Sequence, residues 1–289
     1  MNDVSFAAAV GQWYDANARD LPWRGPHRSP WGVLVSEIML QQTPVSRVLP
    51  AWGEWMARWP TPAALAADSP GEAVRAWGRL GYPRRALRLH AAAVAIVEQH
   101  GGSVPSAYDD LLALPGVGTY TAAAVAAFGF GAHHAVLDTN VRRVLARVFD
   151  ATADAPGSAP TASELRRARA LIPPGDAAHH AVAVMELGAL ICTARTPRCT
   201  ECPVVASCRW WQAGRPPAQR RRAVQRYAGT DRQVRGRLLA VLRDAEGSVA
   251  RNELDAVWDD DVQRERALAG LLADGLVQAT DTGAYRLPA

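Results

Sequence analysis

Four cysteines lie within one short stretch of the chain, and their spacing is typical of a metal or cluster site. Cys192, Cys199, Cys202 and Cys208 are the only cysteines in the sequence and follow the pattern C-x6-C-x2-C-x5-C. Structural zinc usually takes two close pairs of ligands, whereas one compact loop with a single close pair suits an iron–sulfur cubane. The spacing therefore favours one four-iron four-sulfur (4Fe-4S) cluster, with zinc and free thiols as alternatives.

Two carboxylates stand in unusual surroundings. Glu37 lies inside the apolar run WGVLVSEIML, and a dry pocket would raise its pKa enough for it to donate a proton near neutral pH. Asp138 ends an apolar stretch and opens a predicted helix, where it is also a good N-cap. Two such acids suit a reaction that passes through an oxocarbenium-like state. The structural alternatives are an Arg-paired or solvent-facing glutamate and a simple helix cap.

A glycine-containing turn, LPGVG at 114–118, precedes the Ala-rich segment TYTAAAVAAF. Gly116 and Gly118 allow the backbone to approach a ligand closely, and the amides of a helix N-terminus attract an anion. A phosphate of DNA is one such anion. A plain helix–helix turn is the alternative interpretation.

The elements that must position these residues are mostly helices, because apolar residues recur at spacings of three and four. The Pro- and Arg-rich stretch 214–230 predicts a linker. Beyond it, predicted helices at 231–244, 250–258 and 262–274 precede a hairpin turning at 281–283, which is a winged-helix pattern suited to contact with DNA or protein. The earlier predicted helices lie around 5–16, 31–40, 47–58, 71–78, 84–99, 119–128, 140–149, 162–171 and 179–191.

Composition and charge narrow the class of protein. Hydrophobic residues make up 49% and charged residues 21%, which excludes a mainly disordered chain. No apolar run is long enough to span a membrane, and an acidic start argues against a secretory signal, so we expect a cytoplasmic protein. The basic residues are all arginine, so no side chain can form a Schiff base. Residues 1–224 carry a net charge of +6 and 225–289 a net charge of −2, which favours a polyanion partner for the first part.

Together these motifs resemble the helix–hairpin–helix DNA glycosylases that carry an iron–sulfur cluster, and among them the MutY-type adenine DNA glycosylases. The resemblance covers about 10–212. It rests on LPWR (21–24), SEIMLQQT (36–43), GRLGY (78–82), LPGVGTYTA (114–122), VLDTNVRRVLAR (136–147) and MELGALICTARTPRCTECPVVASC (185–208).

The resemblance implies a mainly α fold in which 1–213 forms two helical lobes with a cleft, including the cluster loop 192–208. Residues 214–230 would be the linker and 231–289 a small winged-helix-like unit. The implied activity belongs to base excision repair: hydrolysis of the N-glycosidic bond of adenine mispaired with 8-oxoguanine or guanine. The implied partner is double-stranded DNA containing a mismatch. We expect a protein associated with the nucleoid and no membrane partner, and nothing in the sequence demands more than a monomer.

Residue roles follow from the same resemblance. Glu37 is the implied acid that protonates adenine and helps to activate water, and Asp138 the carboxylate that stabilises the oxocarbenium sugar. Tyr120 stands where strand-cleaving relatives carry a catalytic lysine, so we expect a monofunctional enzyme. DNA and base contacts are implied for Arg24, Leu40, Gln41, Gln42, Tyr82, Gly116, Gly118 and Asn140. Contacts with the DNA backbone are expected for Arg84, Arg85 and Arg142, with a solvated helix face as the alternative. Separately, the basic loop TARTPR predicts a structural cluster that presents Arg195 and Arg198 to DNA.

The sequence also departs from the family pattern. Val182 stands where MutY-type enzymes often place Glu or Gln near the adenine. Residues 225–289 are too few for the Nudix-like domain by which many of them recognise 8-oxoguanine. Two alternatives therefore stand beside the adenine glycosylase: a thymine or uracil mismatch glycosylase of the same fold, and a non-catalytic DNA-binding or redox-sensing protein.

Overall fold

The computed structural model describes residues 3–218 and 227–289, and it is mainly α-helical as predicted. One two-stranded antiparallel sheet and two short 3₁₀ turns, Cys199–Glu201 and Val205–Ser207, complete the described elements. The helices are α1 (Asp3–Asn17), α2 (Pro30–Leu40), α3 (Val45–Arg58), α4 (Pro62–Ala66), α5 (Pro70–Trp77), α6 (Arg84–His100), α7 (Tyr108–Ala113), α8 (Thr119–Phe130), α9 (Thr139–Asp150), α10 (Ala162–Ala170), α11 (Ala177–Leu190), α12 (Arg209–Gln212), α13 (Asp231–Asp244), α14 (Arg251–Asp255) and α15 (Asp261–Ala273). The strands are β1 (Gln278–Ala279) and β2 (Tyr285–Arg286).

Every helix predicted from apolar spacing is present, with ends that differ by a few residues. Three short helices, α4, α7 and α12, escape prediction because four to six residues are too few to show a helical period. The predicted helix 250–258 ends early, at Asp255. Trp258 lies beyond that end, and its indole nitrogen donates to Gln263 Oε1 of α15 at 2.7 Å.

The described chain divides into two compact units. Unit 1 comprises Met1–Val33, Ser106–Leu112 and Val117–Arg222, as far as these are described. Helices α1, α9 and α11 pack together there, because each presents apolar residues four positions apart on one face. The most completely buried of these side chains are Phe6, Val10, Val144, Ala183 and Leu187.

Unit 2 comprises Leu34–Pro105, Ala113–Gly116 and the described part of Ala223–Ala289. Trp55 and Trp77 are almost completely buried, with ring centroids 5.7 Å apart in an edge-to-face arrangement. In the C-terminal segment, Val249 and Tyr285 exchange two backbone hydrogen bonds and attach the hairpin beside α14. The result is the predicted order of three helices followed by a hairpin.

The C-terminal segment packs on α5 within unit 2. A Cβ at Gly71 would lie 2.3 Å from the carbonyl oxygen of Pro288, so only glycine fits this contact. Arg243 Nε donates to the Val74 carbonyl oxygen at 3.0 Å. Residues 219–226 of the predicted linker lie outside the described residues, and the predicted domain boundaries stay predictions.

Within the described ranges, no helix is long and apolar enough to cross a membrane.

Candidate functional site

Asp138 is the N-cap of α9, as its sequence context allows. Its Oδ1 accepts from the backbone amide of Val141 at 2.7 Å, and its Oδ2 accepts from Asn140 Nδ2 at 2.8 Å. Burial raises the pKa of the Asp138 carboxyl, while the hydrogen bonds from Val141 and Asn140 oppose that rise. Asp138 is therefore a carboxylate held in one orientation inside a poorly solvated environment, where its charge acts strongly on whatever lies beside it.

Asn140 is itself fixed by a second connection, which leads to the cysteine loop. Its Oδ1 accepts from Arg143 Nη2 at 2.7 Å, and Arg143 Nε donates to the Cys192 carbonyl oxygen at 2.7 Å. Arg143 Nη2 also donates to the Gly188 carbonyl oxygen at 2.7 Å. A Cβ at Gly188 would lie 2.8 Å from Asn140 Cβ, so glycine permits this close approach of α11 to α9. A continuous chain of hydrogen bonds thus runs from Asp138 to Cys192.

All four cysteines line one cavity of unit 1, with about 370 Å³ of space between atoms, part of it open to solvent. Most of the other residues around it are apolar, and they include Val144, Leu187, Ile191, Val204 and Trp210. Burial raises the pKa of Cys202 to about 11 and also raises the pKa values of Cys199 and Cys208. A bound metal group would compensate the burial of four thiolates, so this donor set fits such a group.

Arg147 lies at the wall of the same cavity and is almost completely buried. Its Nη1 is 3.4 Å from Cys192 Sγ and donates to the Thr193 carbonyl oxygen at 2.8 Å. Its guanidinium carbon stacks 4.4 Å from the ring centroid of Trp210.

Among the described residues, no group of three or more His, Cys, Asp or Glu side chains is arranged to hold a single metal ion.

Arg24 forms an ion pair with Glu186 that was not predicted from the sequence. Its Nη1 donates to Glu186 Oε2 at 2.7 Å, and Arg19 Nε donates to Glu186 Oε1 at 2.6 Å. Burial alone would raise the pKa of Glu186, but hydrogen bonds and charge from Arg19 and Arg24 bring it down to about 2. The signal was available, since Glu186 is an acid within an apolar helix just as Glu37 is. Val182 lies one turn earlier on the same helix and is partly buried.

Glu37 lies in unit 2, in the last two turns of α2, where its residue surface is only 6% exposed. The flanking residues Ser36 and Ile38 are also buried. The structure therefore buries the acid, as its position in an apolar run suggests, and does not place it on a solvated helix face.

The chain just beyond α2 exposes one of the predicted base contacts. Gln42 is exposed with φ of 57°, while Leu40 and Gln41 before it are partly buried. Tyr82, also in unit 2, is 47% exposed with φ of 49°. Left-handed backbone is uncommon for residues with a Cβ and marks a constrained position.

The glycine-containing turn at 114–118 connects α7 to α8. Gly116 has φ of 78°, and a Cβ there would lie 2.7 Å from the Cβ of Arg88, so glycine is required on both counts. Gly118 is the N-cap of α8 and provides no side-chain cap. Tyr120, partly buried, is the second residue of this helix. The N-terminus of α8 thus has the form that binds an anion.

The expected arginine contacts divide into two groups. Arg85 and Arg142 are buried and donate to protein acceptors, and Arg142 pairs with Glu164 at 2.8 Å. The expectation that these two contact the DNA backbone is therefore wrong, because their donors already face inward. Arg195 is exposed, whereas Arg198 pairs with Glu201 at 2.8 Å. Arg84 is exposed and pairs with Asp274 at 3.2 Å.

Comparison with known proteins places this geometry in context. The family model described as "HhH-GPD superfamily base excision DNA repair protein" matches residues 35–174. A protein of Mycolicibacterium smegmatis named adenine DNA glycosylase is 56% identical over 277 residues, which is 95% of this chain and 93% of that protein. The human protein of the same name is 42% identical over 215 residues, covering 71% of this chain and 39% of its own length.

Solved structures agree on the fold. The structure of a thermostable thymine-DNA glycosylase matches with a TM-score of 0.66 and 27% identity, covering 73% of this chain and 97% of that one. An endonuclease III–DNA complex matches with a TM-score of 0.61 and 21% identity, covering 74% of this chain and 98% of that one.

Proposed function

Since the chain belongs to the adenine DNA glycosylases of the helix–hairpin–helix superfamily of base excision repair proteins, we propose that it removes adenine mispaired with 8-oxoguanine or guanine in double-stranded DNA. Adenine as the base removed follows from membership of this family. The identity of the base opposite the adenine is our proposal. The observation that carries the mechanism is the partly buried carboxylate of Asp138, which two hydrogen bonds hold in one orientation.

In the proposed mechanism, Glu37 protonates the adenine as the bond between sugar C1′ and the base nitrogen breaks. Asp138 stabilises the positive charge that develops on the sugar, because a fixed charge in a dry site acts without reorganisation. Water then adds to C1′ and gives a proton to the Glu37 carboxylate, which restores the starting state. The products are free adenine and an abasic site.

Strand cleavage through a lysine Schiff base is not part of this proposal. The chain contains no lysine, and Tyr120 stands at the start of α8 where strand-cleaving relatives carry one. We therefore infer a monofunctional enzyme whose nucleophile is water.

The DNA contacts are proposed from exposed or glycine-lined features. A target base inside a duplex is out of reach and must be flipped out, so side chains are needed to fill the gap. Gln42 and Tyr82 are exposed and suit that role, with Leu40 and Gln41 beside Gln42. The uncapped N-terminus of α8 after Gly116 and Gly118 suits a phosphate.

Arg24 and Asn140 are proposed to line the adenine pocket. Each is held by its own contact, Arg24 by Glu186 and Asn140 by Asp138. Fixed donors of this kind select a base by its hydrogen-bonding edge.

We further propose that Cys192, Cys199, Cys202 and Cys208 hold one 4Fe-4S cluster. Support comes from their shared apolar cavity and from the single close pair in their spacing. When bound, the cluster would supply cross-links that hold the loop 192–208 in one shape. The test is a count of iron, acid-labile sulfide and zinc in purified protein. Four irons and four sulfides per chain are expected, and stoichiometric zinc would contradict the assignment.

A thymine or uracil mismatch glycosylase is the second candidate. The observation in its favour is Val182, which removes a polar group from the expected adenine pocket, together with the structural likeness to a thymine-DNA glycosylase. The relatives that share more than half of their residues with this chain weigh against it, since each is named adenine DNA glycosylase.

One experiment separates these functions. Labelled duplexes carry A opposite 8-oxoguanine, A opposite G, T opposite G or U opposite G, and each is scored for breaks with and without hot alkali. We expect breaks at adenine that need alkali, and none with Glu37→Gln. Breaks at T or U would favour the second candidate, and breaks without alkali would contradict the monofunctional assignment. Binding without abasic sites on any duplex would indicate the non-catalytic alternative.

A further inference from the structure

Arg85 donates hydrogen bonds to backbone carbonyl oxygens at the C-terminal end of α2, the helix that carries Glu37. It is the second residue of α6, and its side chain is buried in unit 2. Its Nη1 donates to the carbonyl oxygens of Ile38 at 2.9 Å, Met39 at 3.0 Å and Gln41 at 2.5 Å. The last carbonyls of a helix lack intrahelical partners, and a cation complements the dipole there. Arg85 thus fixes the C-terminal end of α2 and the residue that follows it.

The second nitrogen of the same guanidinium joins two turns. Arg85 Nη2 donates to Thr43 Oγ1 and to the Gly81 carbonyl oxygen, each at 2.9 Å. The Thr43 hydroxyl donates to the Leu80 carbonyl oxygen at 3.2 Å. The guanidinium carbon lies 5.1 Å from the ring centroid of Trp77. One planar group therefore holds the turn at 41–43 and the turn at 78–82 together.

These two turns carry the exposed side chains Gln42 and Tyr82, which share an unusual backbone. They are two of only four residues other than glycine with positive φ among the described residues. Each directly follows a residue, Gln41 or Gly81, whose carbonyl oxygen accepts from Arg85. Such conformations persist only where the surroundings over-determine them. Arg85 fixes the peptide group that precedes each one.

We propose that Arg85 is a positioning residue that holds Gln42 and Tyr82 ready to enter the duplex together. This inference rests on the proposed function, in which these two side chains meet the base left without a partner. The guanidinium matches the task because its donors form a rigid planar fork, which an ammonium group lacks. Burial lowers the pKa of Arg85 to about 10, so the group stays charged at neutral pH.

The variants are chosen to separate positioning from folding. Arg85→Lys keeps the charge and loses the fork, and Thr43→Val removes only the hydroxyl that joins the turns. The matched control is Arg58→Met. Arg58 also lies over a tryptophan, 4.4 Å from the ring centroid of Trp59, but it is exposed and pairs with Asp68 and Glu72.

The measurement is a ratio: the affinity for a duplex with A opposite 8-oxoguanine, divided by the affinity for the fully paired duplex of the same sequence. All proteins carry Glu37→Gln so that the DNA stays intact, and the melting temperature of each is recorded. We expect Arg85→Lys to lower the ratio about tenfold, and Thr43→Val to lower it less. Arg58→Met should leave it unchanged.

A second arm tests whether Arg85 acts through the two side chains. In a protein that carries Gln42→Ala and Tyr82→Ala, Arg85→Lys should change the ratio no further. The inference is overturned if the effect is as large without the two side chains, or if folded Arg85→Lys keeps the parent ratio. Should Arg85→Lys fail to fold, an unchanged ratio in Thr43→Val overturns it. A parent protein without preference for the mismatch contradicts the proposed function itself, and the inference fails with it.

Discussion

The side-chain amide of Asn140 donates to Oδ2 of Asp138 at 2.8 Å, while its carbonyl oxygen accepts from Arg143 at 2.7 Å. Asn140 therefore can present only its amide nitrogen to the carboxylate, since Arg143 occupies the other end. Asn140 thus orients the Asp138 carboxylate, and Arg143 orients Asn140. Both residues lie on the helix that Asp138 caps, and Arg143 also contacts the cysteine loop at Cys192.

Asp138→Asn tests the charge of this site without loss of the helix cap. Asparagine caps helices about as well as aspartate, but it cannot stabilise a positive sugar. We expect the single-turnover rate of adenine release to fall by at least about 10²-fold, with affinity for mismatched DNA retained. Asp138→Ala is the comparison, because it should lose the activity and also about 1 kcal/mol of stability. A near-normal rate in Asp138→Asn would remove Asp138 from the mechanism.

Asn140→Ala should change the pH dependence of the reaction. Burial already raises the pKa of Asp138 above its ordinary value of 3.8, and the Asn140 hydrogen bond opposes that rise. The active form is the carboxylate, so the rate falls as pH falls through the folded pKa. Removing Asn140 should move this acidic limb to higher pH. The check is the single-turnover rate between pH 4 and pH 8 in both proteins, and coincident acidic limbs would show that Asn140 does not tune the acid.

Arg143→Lys should disconnect the cysteine loop from Asn140. An ammonium group cannot reach Cys192, Gly188 and Asn140 in the directions that the guanidinium does. We expect the excision rate to fall about 10- to 100-fold, as a displaced catalytic group would cause, while bound iron stays at the parent level. Parallel loss of iron would show instead that Arg143 acts through the cluster loop.

Glu186→Gln should destabilise the protein in a pH-dependent way. The pKa of Glu186 is lowered from 4.5 to about 2 in the folded chain, so its contribution is present above about pH 4.5 and is lost as pH falls toward 2. Leaving Arg19 and Arg24 without a buried carboxylate costs about 3 kcal/mol at neutral pH. Urea unfolding at several pH values measures this. Glu72→Gln, which breaks partly exposed pairs with Arg58 and Arg75, should cost less than about 1 kcal/mol.

Gly188→Ala should force α9 and α11 apart. The added Cβ would lie 2.8 to 3.0 Å from atoms of Asn140, so we expect a loss of about 1–3 kcal/mol and a fall in activity. Gly53→Ala is the control, because it lies inside α3 with open space around it. It should gain about 0.5–1 kcal/mol. Equal effects at both positions would show that the contact with Asn140 is unimportant.

The features of this protein that depend on local patterns can be predicted from its sequence. Helices show themselves through apolar spacing, and the cysteine pattern anticipates the shared cavity because its ligands are close in the chain. Glu37 and Asp138 are recognisable because the first interrupts an apolar run and the second ends one. Even the turn before α8 follows from its glycines.

Other features depend on partners that are distant in the chain. Arg143 contacts Cys192 across 49 positions, and Arg19 contacts Glu186 across 167, so no local spacing announces either pair. The buried positions of Arg85 and Arg142 are missed for the same reason. The left-handed backbone at Gln42 and Tyr82 is also missed, since glycine or asparagine would be the usual signal.

The segmented composition of the two units has a consequence for how the protein is made. Unit 2 combines Leu34–Pro105 with the last part of the chain, and the surface of α5 around Gly71 and Val74 is covered by residues near 243 and 288. During synthesis, that surface leaves the ribosome long before its partners exist. The nascent chain must therefore leave this face of α5 uncovered while more than a hundred further residues are added, and surface that is buried in the finished protein is open to non-native contacts during that interval.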